Sequence, residues 1–218
     1  MQSFRYERDM MPVLEAGVMS ALSIPIGWHT RLLREPNLRG VVPDLLVGAS
    51  PAPFPEEHAL AAAHSPIEGA VVHALRENGQ LSIEDLAVEV FATPVAVQRA
   101  LDRLASAGLA TGDFMGCAWS ISAAVELPVG VVAVEAKLSD WRRALSQAQS
   151  YRAFAQQVFV ALDRGRVSLD DGILAAFRTS SVGLMLVSPT SVETVVAPGP
   201  PSRPTPGRYQ AIARILRA

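Results

Sequence analysis

Residues 131–137, VVAVEAK, are the feature that most constrains how this chain of 218 residues can fold. Small and β-branched apolar residues open the run, and residues of this kind favour strands that are buried on both faces. Glu135 and Lys137 are two positions apart, so on a strand their side chains point to the same face, while Ala136 points to the other. The run therefore predicts a buried strand that ends in a pair of charged side chains.

Lys137 is the only lysine in the sequence, because arginine accounts for 18 of the 19 basic residues. An ammonium group is a compact charge with a tunable pKa, whereas a guanidinium group stays protonated. A single lysine at the end of an apolar strand therefore indicates chemistry that arginine cannot perform.

The composition predicts a folded, cytoplasmic protein. Half of the residues are hydrophobic and 18% are charged, which is enough apolar material for a core. Cys117 is the only cysteine, so neither an intrachain disulfide nor a zinc knuckle is expected. The N-terminus lacks the apolar core of a signal peptide, and no apolar run is long enough to span a membrane.

The charge is unevenly distributed along the chain. Residues 65–112 contain three basic and six acidic residues, whereas residues 135–218 contain eleven basic and six acidic residues. We therefore expect a polyanion to meet the C-terminal part first.

Apolar periodicity, caps and turn residues predict the order of helices and strands. Predicted helices cover residues 6–22 (with Pro12 in the first turn), 64–78, 83–91, 93–107, 139 or 140 to about 162, 169–176 and 209–217. Predicted strands cover residues 24–33, 41–47, 109–111, 117–121, 131–137, 182–187 and 192–196, and the Pro- and Gly-rich stretch 197–207 is expected to be irregular.

The middle of the chain has the pattern of a winged helix. Residues 65–122 predict three helices followed by a two-stranded wing. In a DNA-binding version the third helix would be the recognition helix and would present Gln98, Arg99 and Arg103 to the duplex. A winged helix that contacts a protein or acts as a spacer is the alternative, and the net charge of the segment argues against tight phosphate binding.

Two carboxylates lie within apolar runs, where an unpaired charge is costly. They are Asp44 in VVPDLLV and Glu135 in VVAVEAK, and carboxylate oxygens are the ligands that magnesium prefers. A metal ion polarises a phosphoryl group and lowers the pKa of a bound water, and a nearby cation such as Lys137 helps to orient that water. These residue types match what phosphodiester cleavage requires. The alternative is a strand on which Glu135 and Lys137 form an exposed pair, with Asp44 in a turn.

Pro43-Asp44 and Glu135-Ala136-Lys137 resemble the motif of the PD-(D/E)xK nuclease superfamily, which has the restriction-endonuclease-like fold. The resemblance extends over roughly residues 1–55 and 129–196. In the helix after the second motif, Gln147 and Tyr151 resemble the QxxxY pattern of some members.

The resemblance implies roles for individual residues. Asp44, Glu135 and the carbonyl of Ala136 would hold Mg²⁺ or Mn²⁺, and Lys137 would position or activate the attacking water. Glu7, preferred over Glu15, would support the site. Gln147 and Tyr151 would line the site or contact the DNA backbone, and an ordinary surface residue and core residue are the alternative for them. Apart from the resemblance, the charge of Arg142 and Arg143 in the same predicted helix makes them candidates for contact with phosphate. A solvated helical face is the alternative for the two arginines.

Asp44 and Glu135 are 91 positions apart, so the resemblance implies an insertion between them. The expected architecture is an α/β core, with a central mixed sheet flanked by helices, that a winged helix interrupts. Its parts are a first core segment (1–62), the winged helix-turn-helix insertion (63–127) and a second core segment (128–218).

The expected function is magnesium-dependent endonucleolytic cleavage of DNA, with the winged helix aiding recognition of DNA or of a protein partner. One alternative is a nuclease-fold protein that binds DNA or regulates transcription without turnover. Another is a winged-helix transcription regulator with an α/β partner domain. A homodimer is expected by analogy with other nucleases.

Overall fold

The computed structural model describes residues 3–38, 40–54, 59–63, 65–113, 117–122, 130–203 and 205–218. The seven α-helices of this part are α1 (Glu7–Ala21), α2 (Pro66–Asn78), α3 (Ile83–Glu89), α4 (Pro94–Ser106), α5 (Trp141–Ser150), α6 (Asp171–Ser180) and α7 (Pro206–Leu216). Its eight strands are β1 (His29–Arg34), β2 (Leu45–Ser50), β3 (Ala110–Gly112), β4 (Trp119–Ile121), β5 (Gly130–Lys137), β6 (Gln157–Asp163), β7 (Gly183–Ser188) and β8 (Ser191–Val196). No helix of the described residues is long and apolar enough to cross a membrane.

Six strands form one mixed sheet in the order β1-β2-β5-β6-β7-β8. The central strands β5, β6 and β7 are parallel, and the outer pairings are antiparallel. The chain is therefore an α/β protein with a mixed sheet flanked by helices, as the sequence predicted. Residues 131–137 lie in a strand, and residues 131–136 are buried.

The two faces of the sheet are covered by different helices. Val132, Val134 and Ala136 of β5 belong to the apolar cluster that packs against α1. Val131 and Ala133 face the opposite way, into a larger cluster that includes α5, α6 and α7. Side chains alternate between faces along a strand, so Glu135 and Lys137 belong to the face opposite α1.

Residues 65–122 form three helices and a hairpin. Ser65, Ser82 and Thr93 each accept a hydrogen bond from a backbone N–H in the first turn of the helix that follows, which is the preferred role of such residues at an N-cap. Strands β3 and β4 pair in antiparallel fashion, so the predicted hairpin and the helix starts at Ser82 and Thr93 are confirmed, although β4 begins at Trp119 rather than at residue 117. The predicted first helical residue, residue 64, and the predicted boundary at 127/128 lie outside the described residues.

The buried side chains of these three helices belong to the same apolar cluster as one face of the six-stranded sheet. Helix α7 joins the two parts, because it packs along α2 and also contacts β1, β2 and β5. Almost every residue of α7 is buried, including Arg208, which donates hydrogen bonds to the carbonyl groups of Ser202 and Arg203.

The predicted helix from residue 139 or 140 to about residue 162 is wrong. Helix α5 ends at Ser150, a 3-10 turn (Tyr151–Ala153) follows, and residues 157–163 form the parallel strand β6. Apolar side chains occupy both faces of this buried strand, so their spacing alone resembles that of a buried helix. Pairing with β5 on one side and β7 on the other determines the strand.

Three other predictions need correction. Pro12 lies inside α1 and beyond its first turn, because the helix begins at Glu7. Strand β1 begins at His29, so residues 24–28 precede it. Strand β2 begins at Leu45, so Asp44 lies at its entrance rather than within it.

A buried carboxylate fixes the N-terminal segment to the sheet. Asp163, at the end of β6, is fully buried and accepts hydrogen bonds from the backbone N–H groups of Phe4 (2.8 Å) and Gly165 (2.8 Å). Arg166 lies 3.6 Å from the Asp163 carboxylate and donates to the Phe4 carbonyl. Both backbone polar groups of Phe4 are thereby satisfied, and the residues just before α1 are held in place.

We expect Asp163→Ala to lower the free energy of unfolding by about 2–4 kcal/mol, because the buried Phe4 N–H, the N–H of Gly165 and a neighbouring guanidinium lose their partner. Urea denaturation followed by circular dichroism measures this change. Asp171→Ala, which removes an exposed carboxylate from the first turn of α6, is the matched control. If Asp163→Ala lowered the free energy of unfolding by less than about 1 kcal/mol, Asp163 would not hold the N-terminal segment to the sheet.

Candidate active site

The predicted site residues from the two core segments meet at the end of two neighbouring strands. Strand β2 pairs with β5 so that Leu45 lies opposite Val134, and Asp44 therefore enters the sheet beside Glu135. Asp44 Oδ2 accepts a hydrogen bond of 2.6 Å from the backbone N–H of Ala136. This bond connects two carboxylate-bearing segments that are far apart in the sequence.

The Lys137 ammonium lies among oxygen atoms. Its Nζ is 2.8 Å from Glu135 Oε1, 3.0 Å from the Ala136 carbonyl oxygen and 3.5 Å from Glu7 Oε2. Burial by itself lowers the pKa of Lys137, but the hydrogen bond to Glu135 and the charges of Glu135, Asp44 and Glu7 together raise it. Lys137 is therefore a cation at neutral pH and acts as a donor rather than as a base.

Glu135 is buried, with only 2% of its surface exposed, and both of its oxygen atoms have partners. Oε1 pairs with Lys137, and Oε2 accepts a hydrogen bond from the Tyr151 hydroxyl. Burial, followed by the hydrogen bond to Glu135, raises the pKa of Tyr151 well above its usual value. Tyr151 thus remains a phenol that orients Glu135.

The pKa of Asp44 is raised from its ordinary value to about 6. Burial is the main cause, and the charges of Glu135 and Glu7 add to it. The hydrogen bond from Ala136 and the charge of Lys137 act in the opposite direction. A carboxyl with a pKa near neutrality exchanges protons readily at physiological pH.

Gln147 lies on α5, four residues before Tyr151. Positions four apart share one face of a helix, so the amide is on the same side as the residue that contacts Glu135. Its Oε1 atom is buried and has no hydrogen-bond partner among the described residues. An unpaired buried acceptor is costly, and no hydrogen bond within the described residues joins Gln147 to Asp44, Glu135 or Lys137.

The chemistry of the donor atoms suits a hard divalent cation. Asp44, Glu135 and the Ala136 carbonyl supply oxygen atoms, and magnesium needs only one or two carboxylates because water and phosphate complete its shell. Lys137 already lies against two of these donors as a cation. With Glu7 included, three carboxylates face one ammonium, which leaves a net charge of −2 when all are ionised. Among the described residues, this cluster included, no three His, Cys, Asp or Glu side chains are close enough together to hold a metal ion by themselves.

Most of the side chains predicted to contact DNA from the middle segment have partners within it. Gln98 donates to Asp102 at 2.7 Å, and Arg103 pairs with the buried Glu68. Arg99 is exposed and forms no ion pair with a carboxylate among the described residues. Gln98, Arg99 and Arg103 also lie on α4, on a different part of the chain from the carboxylate cluster.

The same segment exposes apolar side chains around the turn between α3 and α4. Val88 is 77% exposed, Phe91 is 97% exposed and Val95 is 61% exposed. Phe91 has a φ of +52°, a left-handed conformation that is unfavourable for a bulky residue. Exposed apolar groups of this kind are typical of protein contact surfaces.

Arg142 and Arg143 lie in the first turn of α5, directly after the strand that carries Glu135 and Lys137. Both are exposed, and the Arg142 guanidinium stacks on the Trp141 ring, 4.3 Å from its centroid. They are therefore exposed cations that follow Lys137 by five and six positions in the sequence, and their contact with phosphate stays a prediction.

The sequence-based prediction missed three residues beside Glu7. Arg5, Tyr6 and Arg8 are exposed, and both guanidinium groups lie over the Tyr6 ring. The sequence Arg-Tyr-Glu-Arg (residues 5–8) gives no sign of a site by itself. Only the contact of Glu7 with Lys137 in the folded chain connects this segment with the carboxylate cluster.

Comparison with known proteins gives no relative: no protein-family model, no curated protein and no solved structure matches this chain. The functional argument therefore depends on the geometry of the cluster.

We expect Asp44→Asn to raise the free energy of unfolding at neutral pH in the presence of a chelator. The folded-state pKa of about 6 exceeds the ordinary 3.8. Protonated Asp44 therefore contributes to stability at low pH, and this contribution is lost as the pH rises from about 4 through about 6. The asparagine variant does not titrate there. Its advantage should grow by about 1–3 kcal/mol between pH 4 and pH 7.5, as measured by urea denaturation at several pH values. An advantage independent of pH would contradict the raised pKa.

Proposed function

We propose that this protein is a metal-dependent nuclease that hydrolyses phosphodiester bonds in DNA. It would combine a restriction-endonuclease-like core with a winged-helix insertion at residues 63–127. The observation that carries the proposal is the convergence of Asp44, Glu135 and Lys137, with the Ala136 carbonyl, at adjoining ends of two neighbouring strands. A structural ion pair does not require a second carboxylate and a strand-end carbonyl at the same point.

Asp44, Glu135 and the Ala136 carbonyl would hold Mg²⁺ or Mn²⁺. When bound, such an ion neutralises charge on the phosphate and lowers the pKa of a coordinated water. Tyr151 holds the Glu135 carboxylate in place by a hydrogen bond. Glu7 lies on the other side of the ammonium and helps to keep Lys137 protonated.

Lys137 supports the reaction as a cation. Because its pKa is raised, it donates hydrogen bonds to the attacking water or to a phosphate oxygen, and it offsets the negative charge that develops as the water oxygen attacks phosphorus. Asp44 would keep its carboxylate on the ion, and the proton of the attacking water would pass to solvent water. The bond from phosphorus to the leaving oxygen then breaks.

We assign DNA contact to the core and protein contact to the middle segment. Arg142 and Arg143 are exposed at the start of α5, whereas Arg103 is paired with a buried glutamate. The exposed apolar patch at Val88 and Phe91 has acidic neighbours, so it fits a protein surface with apolar side chains and arginine or lysine at its border. DNA would be repelled there.

We expect Lys137→Ala to reduce cleavage by about 10²- to 10³-fold, because the charge that develops on the phosphate is no longer offset. A supercoiled plasmid and a labelled single-stranded oligonucleotide, each with Mg²⁺ or Mn²⁺, serve as substrates. Lys137→Arg should also be impaired, because a planar guanidinium does not reproduce the contacts of an ammonium.

Arg178→Ala, an exposed substitution on α6, is the matched control and should cleave like the unmodified protein. Cleavage that persists in Lys137→Ala would exclude this site as its source. Metal-dependent DNA binding without cleavage would instead favour the alternative, a nuclease fold that binds DNA without turnover.

A further inference from the structure

An exposed aromatic ring with two arginines lies directly beside the candidate active site. Tyr6 is 44% exposed, and the Cζ atoms of Arg5 and Arg8 lie 5.1 Å and 4.9 Å from the centre of its ring. The next residue after Tyr6 is Glu7, whose carboxylate is 3.5 Å from Lys137 Nζ. The ring is therefore one residue away from a side chain that contacts the cluster.

The arginines of this group are available to a ligand. The only carboxylate contact of Arg8 among the described residues is a distant one to Asp9 at 3.8 Å, and 81% of the Arg8 side chain is exposed. The Arg5 side chain stacks on Tyr6 and forms no hydrogen bond or ion pair within the described part of the chain. A guanidinium stacked on a ring keeps its N–H edge free, and that edge matches the geometry of a phosphate.

The backbone that carries Tyr6 is fixed on both sides. On one side, Asp163 and Arg166 hold the N–H and the carbonyl group of Phe4. On the other, Tyr6 donates its own N–H to the Asp9 carboxylate at 3.0 Å. An exposed ring on a fixed backbone loses little conformational entropy when a ligand stacks on it.

A second pair of an arginine and an aromatic ring lies at the start of α5. Arg142 stacks on Trp141, which is partly buried and packs near Phe177. The Trp141 ring is therefore held against the core, whereas Tyr6 is 44% exposed although two guanidinium groups lie over its ring. The start of α1 offers an exposed ring and phosphate donors, whereas the start of α5 offers phosphate donors.

We propose that Tyr6, Arg5 and Arg8 form a subsite for an unpaired nucleotide next to the scissile phosphate. The base would stack on Tyr6 in place of a guanidinium group, and the two arginines would hold the neighbouring phosphates. This inference rests on the proposed nuclease function and specifies its substrate: DNA that is single-stranded at the cleavage position. In an intact duplex the faces of the bases are covered by their neighbours, so a protruding tyrosine gains little from it. An unpaired base offers its face, whatever its identity.

The test is binding, measured in a chelator so that no cleavage occurs. A fluorescent 12-nucleotide single strand and a duplex of the same sequence are titrated with the full chain, and anisotropy gives the Kd. Tyr6→Ala should weaken single-strand binding by about 5- to 150-fold, which is the usual contribution of one stacked base, and duplex binding by less than about two-fold. Tyr6→Phe, which keeps the ring, should match the unmodified protein.

The charge component is tested separately with Arg5→Ala/Arg8→Ala. Loss of two phosphate contacts should lower the slope of log Kd against log salt for the single strand by about 1.4, whereas Arg178→Ala should leave the slope unchanged. Thermal melts check that each variant is folded.

Equal weakening of single strand and duplex by Tyr6→Ala, or no weakening of either, overturns the subsite. Tyr6-dependent binding of the single strand supports it even if the protein fails to cleave DNA with Mg²⁺, in which case the nuclease function alone is wrong. Conversely, Lys137-dependent cleavage with unchanged binding by Tyr6→Ala leaves the nuclease and removes the subsite.

Discussion

The hydrogen bond from the Ala136 N–H to the Asp44 carboxylate is the interaction on which the arrangement of the site depends. It lies at the end of the β2–β5 pairing, where the chain enters one strand and leaves the other. The bond brings Asp44 next to Glu135 and thus concentrates negative charge at one edge of the sheet. This concentration opposes ionisation of Asp44, whose pKa is raised to about 6 mainly by burial and further by the neighbouring carboxylates. The site is therefore destabilising at neutral pH when only Lys137 offsets the charge.

Lys137 supplies the only positive charge among the contacts described for these carboxylates. Its ammonium contacts Glu135, the Ala136 carbonyl and Glu7, so it partly occupies the position where positive charge is needed. One ammonium beside three ionised carboxylates leaves a net negative charge, which a divalent cation would neutralise. A fold that maintained these groups only for stability would gain by replacing Asp44 with a neutral residue. Destabilising clusters of charged groups are common at functional sites, which agrees with the proposed function.

Local signals in the sequence were sufficient for much of the fold. VVAVEAK predicted β5 because its pattern suits only a buried strand, and Ser82 and Thr93-Pro94 fixed two helix starts through their capping chemistry. The same signals failed for β6, since a strand buried on both faces lacks alternation and its pairing with β5 and β7 is a property of the tertiary structure. Glu135 and Lys137 could be paired from their spacing. Tyr6 could not be connected with the site, because only the folded chain brings Glu7 to Lys137.

A crystal structure of the protein grown with Mn²⁺, with anomalous scattering recorded at the manganese edge, tests the central claim most directly. The account predicts an anomalous peak in contact with oxygen atoms of Asp44 and Glu135, and no such peak in crystals of Glu135→Gln grown in the same way. A saturated crystal in which Lys137 keeps its contacts with Glu135 and Ala136, and in which no manganese lies between the two carboxylates, would contradict the account.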